Sequence, residues 1–289
     1  MDNYKVIGIG DNVVDKYVHQ GMMYPGGNAL NFCAYARMCE MEASYLGKFG
    51  NDPVARYIQR VMDELKIEHS HCRNFEGENG YARVTLENGD RVFLGSNKGG
   101  IAKEKAWDFT EDDLNYIQSF SVIHTSLNSY IEQDLAILKT SRVPISFDFS
   151  VRWNDDYLEQ VCSYADISFL SCSHLTESER EREMRKAQAF GSKLVIGTVG
   201  ENGSFALYKD QWIYQPAVLT ETVDTMGAGD SYLTAFLIGM IRSSENGTLF
   251  SDSDEEMLRR IKASMEQGAA FAAKICRING AFGYGTAIV

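Results

Sequence analysis

Residues 224 to 239 read DTMGAGDSYLTAFLIG. From Ser231 to Ile241 apolar residues recur at helical spacing, so Gly227, Ala228 and Gly229 stand where a helix begins and leaves backbone N–H groups unpaired. Such an end attracts anions. Asp230 by itself is a good N-cap residue. A cap, however, uses one side-chain oxygen and asks for neither two glycines nor a second carboxylate, Asp224, upstream. On these residues alone, capping and anion binding both stand.

Outward from this stretch, short β-branched or aromatic runs alternate with helical segments, the pattern of a mainly parallel sheet covered by helices. The expected strands are Lys5 to Ile9, Ser44 to Gly47, Val122 to His124, Ile145 to Phe149, Ile167 to Leu170 and Lys193 to Thr198. Helix starts fall between them: Asp52 before Pro53 is a cap with proline at the first helical position, and Thr110 with Asp113 forms a capping box. Two segments break the alternation. Val13 to Val18 is extended, and Tyr81 to Gly95 is a hairpin turning at Asn88, Gly89 and Asp90, so together they predict a small separate sheet able to close over a ligand or meet a partner subunit.

The chain has 289 residues, 44% hydrophobic and 11% aromatic, enough for a substantial core. Its formal charge of −12 argues against a nucleic-acid partner, and no block of Lys or Arg suggests an acidic membrane surface. Six cysteines lack C-x-x-C spacing, which fits reduced thiols. The start MDNYKVIGIGDN has no signal-peptide character, and the run Tyr232 to Ile241 is about half of what crosses a bilayer. A cytoplasmic protein is expected.

Several familiar motifs are missing. GIGDN carries Val13 where a dinucleotide fingerprint needs its third glycine, which disfavours an NAD-dependent dehydrogenase, and neither a P-loop nor a G-x-S-x-G elbow occurs. HSHC, residues 69 to 72, has no second ligand cluster and is expected to be a polar turn. PGGNALNFCAYA, residues 25 to 36, is more informative. Gly26 and Gly27 permit close backbone approach, and Asn28 and Asn31 lie one turn apart at a helix start, suited either to a polyhydroxylated ligand or to capping. TVGENGSFALY, residues 198 to 208, ends a strand, turns through Gly200 and Gly203, and starts another.

Taken together, these residues resemble the ribokinase-like, or PfkB-type, carbohydrate kinases. DTMGAGDSYLTAFLIG is similar to that family's C-terminal signature, GGNALN to its N-terminal sugar-binding element and GENG to its nucleotide loop, over nearly the whole chain. Within the family, GDNVVD, GGNALN, NGDRVF, GENGS and DTMGAGDS together resemble members acting on fructoselysine. The resemblance implies an α/β fold: one three-layer α/β/α domain over residues 1–289, with a central mostly parallel sheet and a protruding β-sheet lid from about 12–24 and 80–97.

It implies ATP-dependent phosphoryl transfer to a primary hydroxyl of a sugar derivative, the 6-hydroxyl of fructoselysine or a related fructosamine. Asp230 matches the catalytic base, and the N–H groups of Gly227, Ala228 and Gly229 match the anion hole. Asp15, Gly27, Asn28 and Asn31 match the sugar-binding residues, with Arg91 as the lid contact; Thr198, Gly200, Gly203 and Thr225 would line the nucleotide. Asp224 and Thr225 begin a segment that in many relatives helps hold a monovalent cation such as K+. Magnesium is implied, yet SCSHLTESE lacks the asparagine of the family's N-x-x-E element, leaving Glu177 as the metal-side candidate. FDFSVRW keeps Asp148 and Arg152, with Ser150 where relatives often have Asn. A homodimer through the separate small sheet is also an expectation. Other readings are a fructokinase, ribokinase or nucleoside kinase of the same family, or a sugar-binding sensor that lost catalysis.

Overall fold

The computed structural model describes residues 4–87, 90–250 and 253–289. The turn residues Asn88 and Gly89 lie outside that set. A nine-stranded sheet runs in the spatial order Gln211–Gln215, Ser204–Tyr208, Leu194–Thr198, Ile167–Ser171, Ile145–Asp148, Ile123–Ser126, Lys5–Gly10, Glu42–Phe49, Arg73–Asn74. From Leu194–Thr198 to Arg73–Asn74 neighbouring strands are parallel, and the two strands at the other end are antiparallel. All six strands expected of the main sheet are present.

Alternation along each strand distributes the core between two faces. Val6 packs with helices Asn28–Met38, Pro53–Leu65, Ala228–Arg242 and Asp254–Ile275, whereas Ile7 and Ile9 belong to the cluster on the other face with Leu158, Val161 and Met184. The result is three layers, helices on both faces of a mostly parallel sheet.

The second sheet has five strands, ordered Thr286–Ala287, Met22–Gly26, Val13–Tyr17, Gly80–Glu87, Asp90–Ser96. Val13–Tyr17 pairs parallel with Gly80–Glu87, and the other neighbours are antiparallel. Sequence patterning anticipated its hairpin and Val13–Tyr17. Met22–Gly26 begins inside the segment of about 12–24 expected for this sheet but was not read as a strand of its own, since Pro25 and Gly26 read as punctuation; Thr286–Ala287, a two-residue strand too short to show a period, was missed.

The parallel strands end their carboxyl termini on one edge, where ligands of open α/β sheets bind. Gly10 leads there to Asp11, Ser126 to Asn128 and Ser129, Ile145–Asp148 ends in Asp148, and Thr198 leads to Gly200.

Candidate active site

Two helices start at this edge. Helix Asn28–Met38 follows Gly27, whose φ of 111° favours glycine and whose added Cβ would lie 2.8 Å from the Asp11 carbonyl oxygen. Its first N–H groups are satisfied from outside: Asp11 accepts Asn28 N–H at 2.8 Å and Ala29 N–H at 3.2 Å, and also the Ser126 and Ser129 hydroxyls at 3.3 and 3.1 Å. Helix Ala228–Arg242 follows Gly227, at φ 72°, where a Cβ would meet the Tyr35 hydroxyl at 2.1 Å. Glycine supplies no side-chain cap here. Ala228 N–H donates to the Thr225 carbonyl at 3.2 Å, and a Cβ on Gly229 would meet open space.

Asp230, in the first turn of the second helix, is 8% exposed. Its two oxygens face the first helix: Asn28 Nδ2 donates to Oδ1 at 2.8 Å and Asn31 Nδ2 to Oδ2 at 2.6 Å. Asn28 Nδ2 also donates to Asp148 Oδ2 at 3.1 Å, while its Oδ1 accepts from Asn128, which in turn accepts from Arg152. Burial pushes the Asp230 carboxyl above the usual carboxylate range; the Asn31 and Asn28 hydrogen bonds oppose this and the Asp11 charge adds to it. Burial raises Asp148 too, then the charge of Asp230, against the Ser150 N–H that lowers it. Two neighbouring carboxyls, both raised, favour a state in which one retains a proton.

Beside this cluster lies a cavity of about 500 Å³ lined by Thr198, Gly200, Gly203, Thr225, Ala228 and Gly229 among others. All four expected nucleotide residues and two of the three anion-hole residues therefore share one wall. Gly227 sits behind them, shaping the turn.

The profile described as pfkB family carbohydrate kinase matches residues 2–281. The chain belongs to the pfkB family of carbohydrate kinases. A fructosamine kinase of Bacillus subtilis (strain 168) is 41% identical over 97% of this chain and 94% of that relative, and the fructoselysine 6-kinase of Escherichia coli (strain K12) is 28% identical over 95% and 98%. Among solved structures, Arabidopsis thaliana ribokinase complexed with ribose and ATP superposes with a TM-score of 0.79 at 18% identity, covering 98% of this chain and 95% of that one. The protein is an ATP-dependent sugar kinase of ribokinase-like fold.

The remaining expected residues of this kinase separate by position. Asp15 is buried in the small sheet beside GGNALN, its Oδ2 2.7 Å from where a Gly26 Cβ would be. Asn28 and Asn31, expected to face sugar, both hold Asp230; the Asn31 Oδ1 is buried without a protein partner. Glu177 is exposed on the first turn of helix Glu177–Ala189, which follows the Ser171 and Ser173 edge of the cavity without lining it. Among the described residues no group of three or more His, Cys, Asp or Glu is placed to hold a metal. The Arg91 side chain lies outside the described part of its strand, Asp90–Ser96. In HSHC, His69 pairs with Asp63 and His71 stacks on Tyr116.

Sequence reasoning missed Asp11 and Asn128 and gave Asp148 no role. Asp11 stood in GIGDN, weighed as a dinucleotide motif, and in GDNVVD, where only Asp15 was given a role; the usable signal was a carboxylate at the end of the first strand.

Proposed function

We propose that this kinase transfers the γ-phosphoryl group of ATP to the 6-hydroxyl of fructoselysine or a related fructosamine, with Asp230 as the base. The observation carrying the chemistry is the buried Asp230 carboxylate, aimed by two amides beside the uncapped helix start on the cavity wall. The likeness to a fructosamine kinase along 97% of the chain supports the substrate class.

The sugar hydroxyl would give its proton to Asp230 while its oxygen attacks the γ-phosphorus and ADP leaves. Asp230 has lone pairs available beyond those taken by Asn28 and Asn31. The buried acceptor Asn31 Oδ1 fits a sugar hydroxyl donor, and the buried Asp15 carboxylate would meet the sugar from the small sheet. N–H groups at the start of helix Ala228–Arg242 would hold phosphoryl oxygens, where Gly229 leaves the backbone approachable. The Thr225 carbonyl competes for one of them, Ala228 N–H. Thr198, Gly200, Gly203 and Thr225 would bound the nucleotide, and Gly27 would keep the sugar-side turn close to Asp11.

Magnesium, when bound, would neutralise phosphate charge; such sites take one or two carboxylates plus phosphate and water, and Glu177 is the carboxylate proposed. A monovalent cation such as K+ beside Asp224 and Thr225, an Arg91 contact to the substrate and a homodimer through the lid complete the proposal. Exposed Phe93 and Leu94 on the lid's edge strand support the dimer.

The test is ADP release from Mg-ATP with fructoselysine and, in parallel, free fructose at equal concentration, with the phosphorylated carbon located by NMR. Turnover with fructoselysine at the 6-position is the expected result. Turnover with fructose alone would replace the substrate by that of a fructokinase, and nucleotide binding with no turnover on a wide sugar and nucleoside panel would favour a sensor.

A further inference from the structure

Asp224, placed above beside a monovalent cation, also occupies a joint between the small sheet and the turn before Gly227. Its Oδ1 accepts Met226 N–H at 2.9 Å, fixing the turn that leads into Gly227. Its Oδ2 accepts the Tyr17 hydroxyl at 2.6 Å and Gly280 N–H at 3.0 Å. Tyr17 closes strand Val13–Tyr17, which pairs with a neighbour on each side in the small sheet. Its ring is buried, edge-on to Tyr24 at 5.1 Å, in a cluster with Val84, Met22 and Met226. Gly280 precedes the segment that adds Thr286–Ala287 to the same sheet, where Ile288 N–H donates to the Gly21 carbonyl. Thr225, next to Asp224, lines the nucleotide cavity. One 9%-exposed carboxylate is thus shared by a lid strand, the approach to the lid's C-terminal strand and the turn that places the anion-binding helix start.

We propose that the Tyr17–Asp224 hydrogen bond couples the lid to the nucleotide turn, which makes Tyr17 and Asp224 positioning residues for phosphoryl transfer. The carboxylate is planar, so its two oxygens turn together. A shift of the turn that carries Oδ1 with Met226 N–H also carries Oδ2 and the hydroxyl it accepts. A buried, charge-assisted bond of this kind resists breaking more than a solvated one. Nucleotide that settles the turn then settles the lid, and by linkage an ordered lid strengthens nucleotide binding by the same factor. The inference rests on nucleotide occupying the cavity beside Thr225.

The test uses the full chain with Mg-ADP as probe, reading backbone hydrogen exchange in Val13–Tyr17 and Met22–Gly26 with and without nucleotide. In the unaltered protein, Mg-ADP is expected to slow exchange in both strands. Tyr17→Phe keeps the ring and should lose about tenfold of that slowing, the size of one hydrogen bond to a charged group. Tyr24→Phe removes a hydroxyl from the same cluster that reaches Gln20 at 3.4 Å, and should keep the slowing, which a merely structural role for the cluster does not predict. If Tyr17→Phe does not fold, Asp224→Asn, which keeps the shape and removes the charge, is read the same way. Mg-ADP binding by calorimetry without lid protection, or protection retained in the variant, would overturn the coupling alone. Absence of Mg-ADP binding would overturn the nucleotide reading with it.

Discussion

Helices Asn28–Met38 and Ala228–Arg242 begin alike and end up in different service. Each follows a glycine at positive φ, and each start lies at the ligand-binding edge of the sheet. The first start is closed by the protein's own anion, Asp11, which takes two of its N–H groups. The second has no cap from Gly227, and its first-turn carboxylate, Asp230, turns across to the first helix. A helix start filled internally becomes a rigid platform for the two asparagines. One left without a side-chain cap beside a cavity is the start proposed above to receive a ligand's negative charge.

That contrast breaks most visibly at Asp230. Asp230→Asn should lower kcat about a hundred- to ten-thousand-fold while leaving nucleotide affinity near its original value. Steady-state ADP release paired with calorimetry measures both, and a near-unchanged kcat would remove Asp230 as base. At the closed end the expected change is in stability. Asp11→Ala strands the buried Ala29 N–H and the half-buried Asn28 N–H and should cost about 2 kcal/mol in urea unfolding, with a matching loss of activity as the Asn28 and Asn31 platform loosens. Full stability would show that the first helix start needs no internal anion.

The smallest effects concern pH. Asp230 must be ionised to accept a proton, and burial raises its pKa, so the acid limb of kcat/KM should lie above the ordinary carboxylate value of about 4. Asn31→Ala removes a hydrogen bond that favours the ionised form and should move the limb further up. Stability carries the opposite bias: a carboxyl raised by burial stabilises the fold when protonated, an advantage fully present below the unfolded pKa and lost as pH rises through the folded one. Asp148→Asn should therefore raise the thermal midpoint at neutral pH and leave it unchanged in strong acid. Equal gains at both pH values would mean that Asp148 is not held above its ordinary range.

Much of the site was legible in sequence because it is local. GAG before an apolar run marks a helix start whatever surrounds it, and alternation of strand and helix marks a parallel sheet whose edge collects ligands. The asparagines of GGNALN were legible as a pair but not in their task. Sequence spacing put them one turn apart, and only the crossing of two helices separated by about two hundred residues aimed them at Asp230.

By itself, then, the sequence determined the layered α/β architecture, the glycine-led helix start and the carboxylate within it, since propensity, glycine conformation and hydrophobic period act over a few residues. Only the tertiary structure decided that Asp11 closes the other start, that Asp148 shares Asn28 with Asp230, and that Tyr17 reaches Asp224 from the small sheet. Those pairings, and the raised carboxyls, depend on burial and on distances of about 3 Å between groups far apart in the chain, which no local pattern encodes.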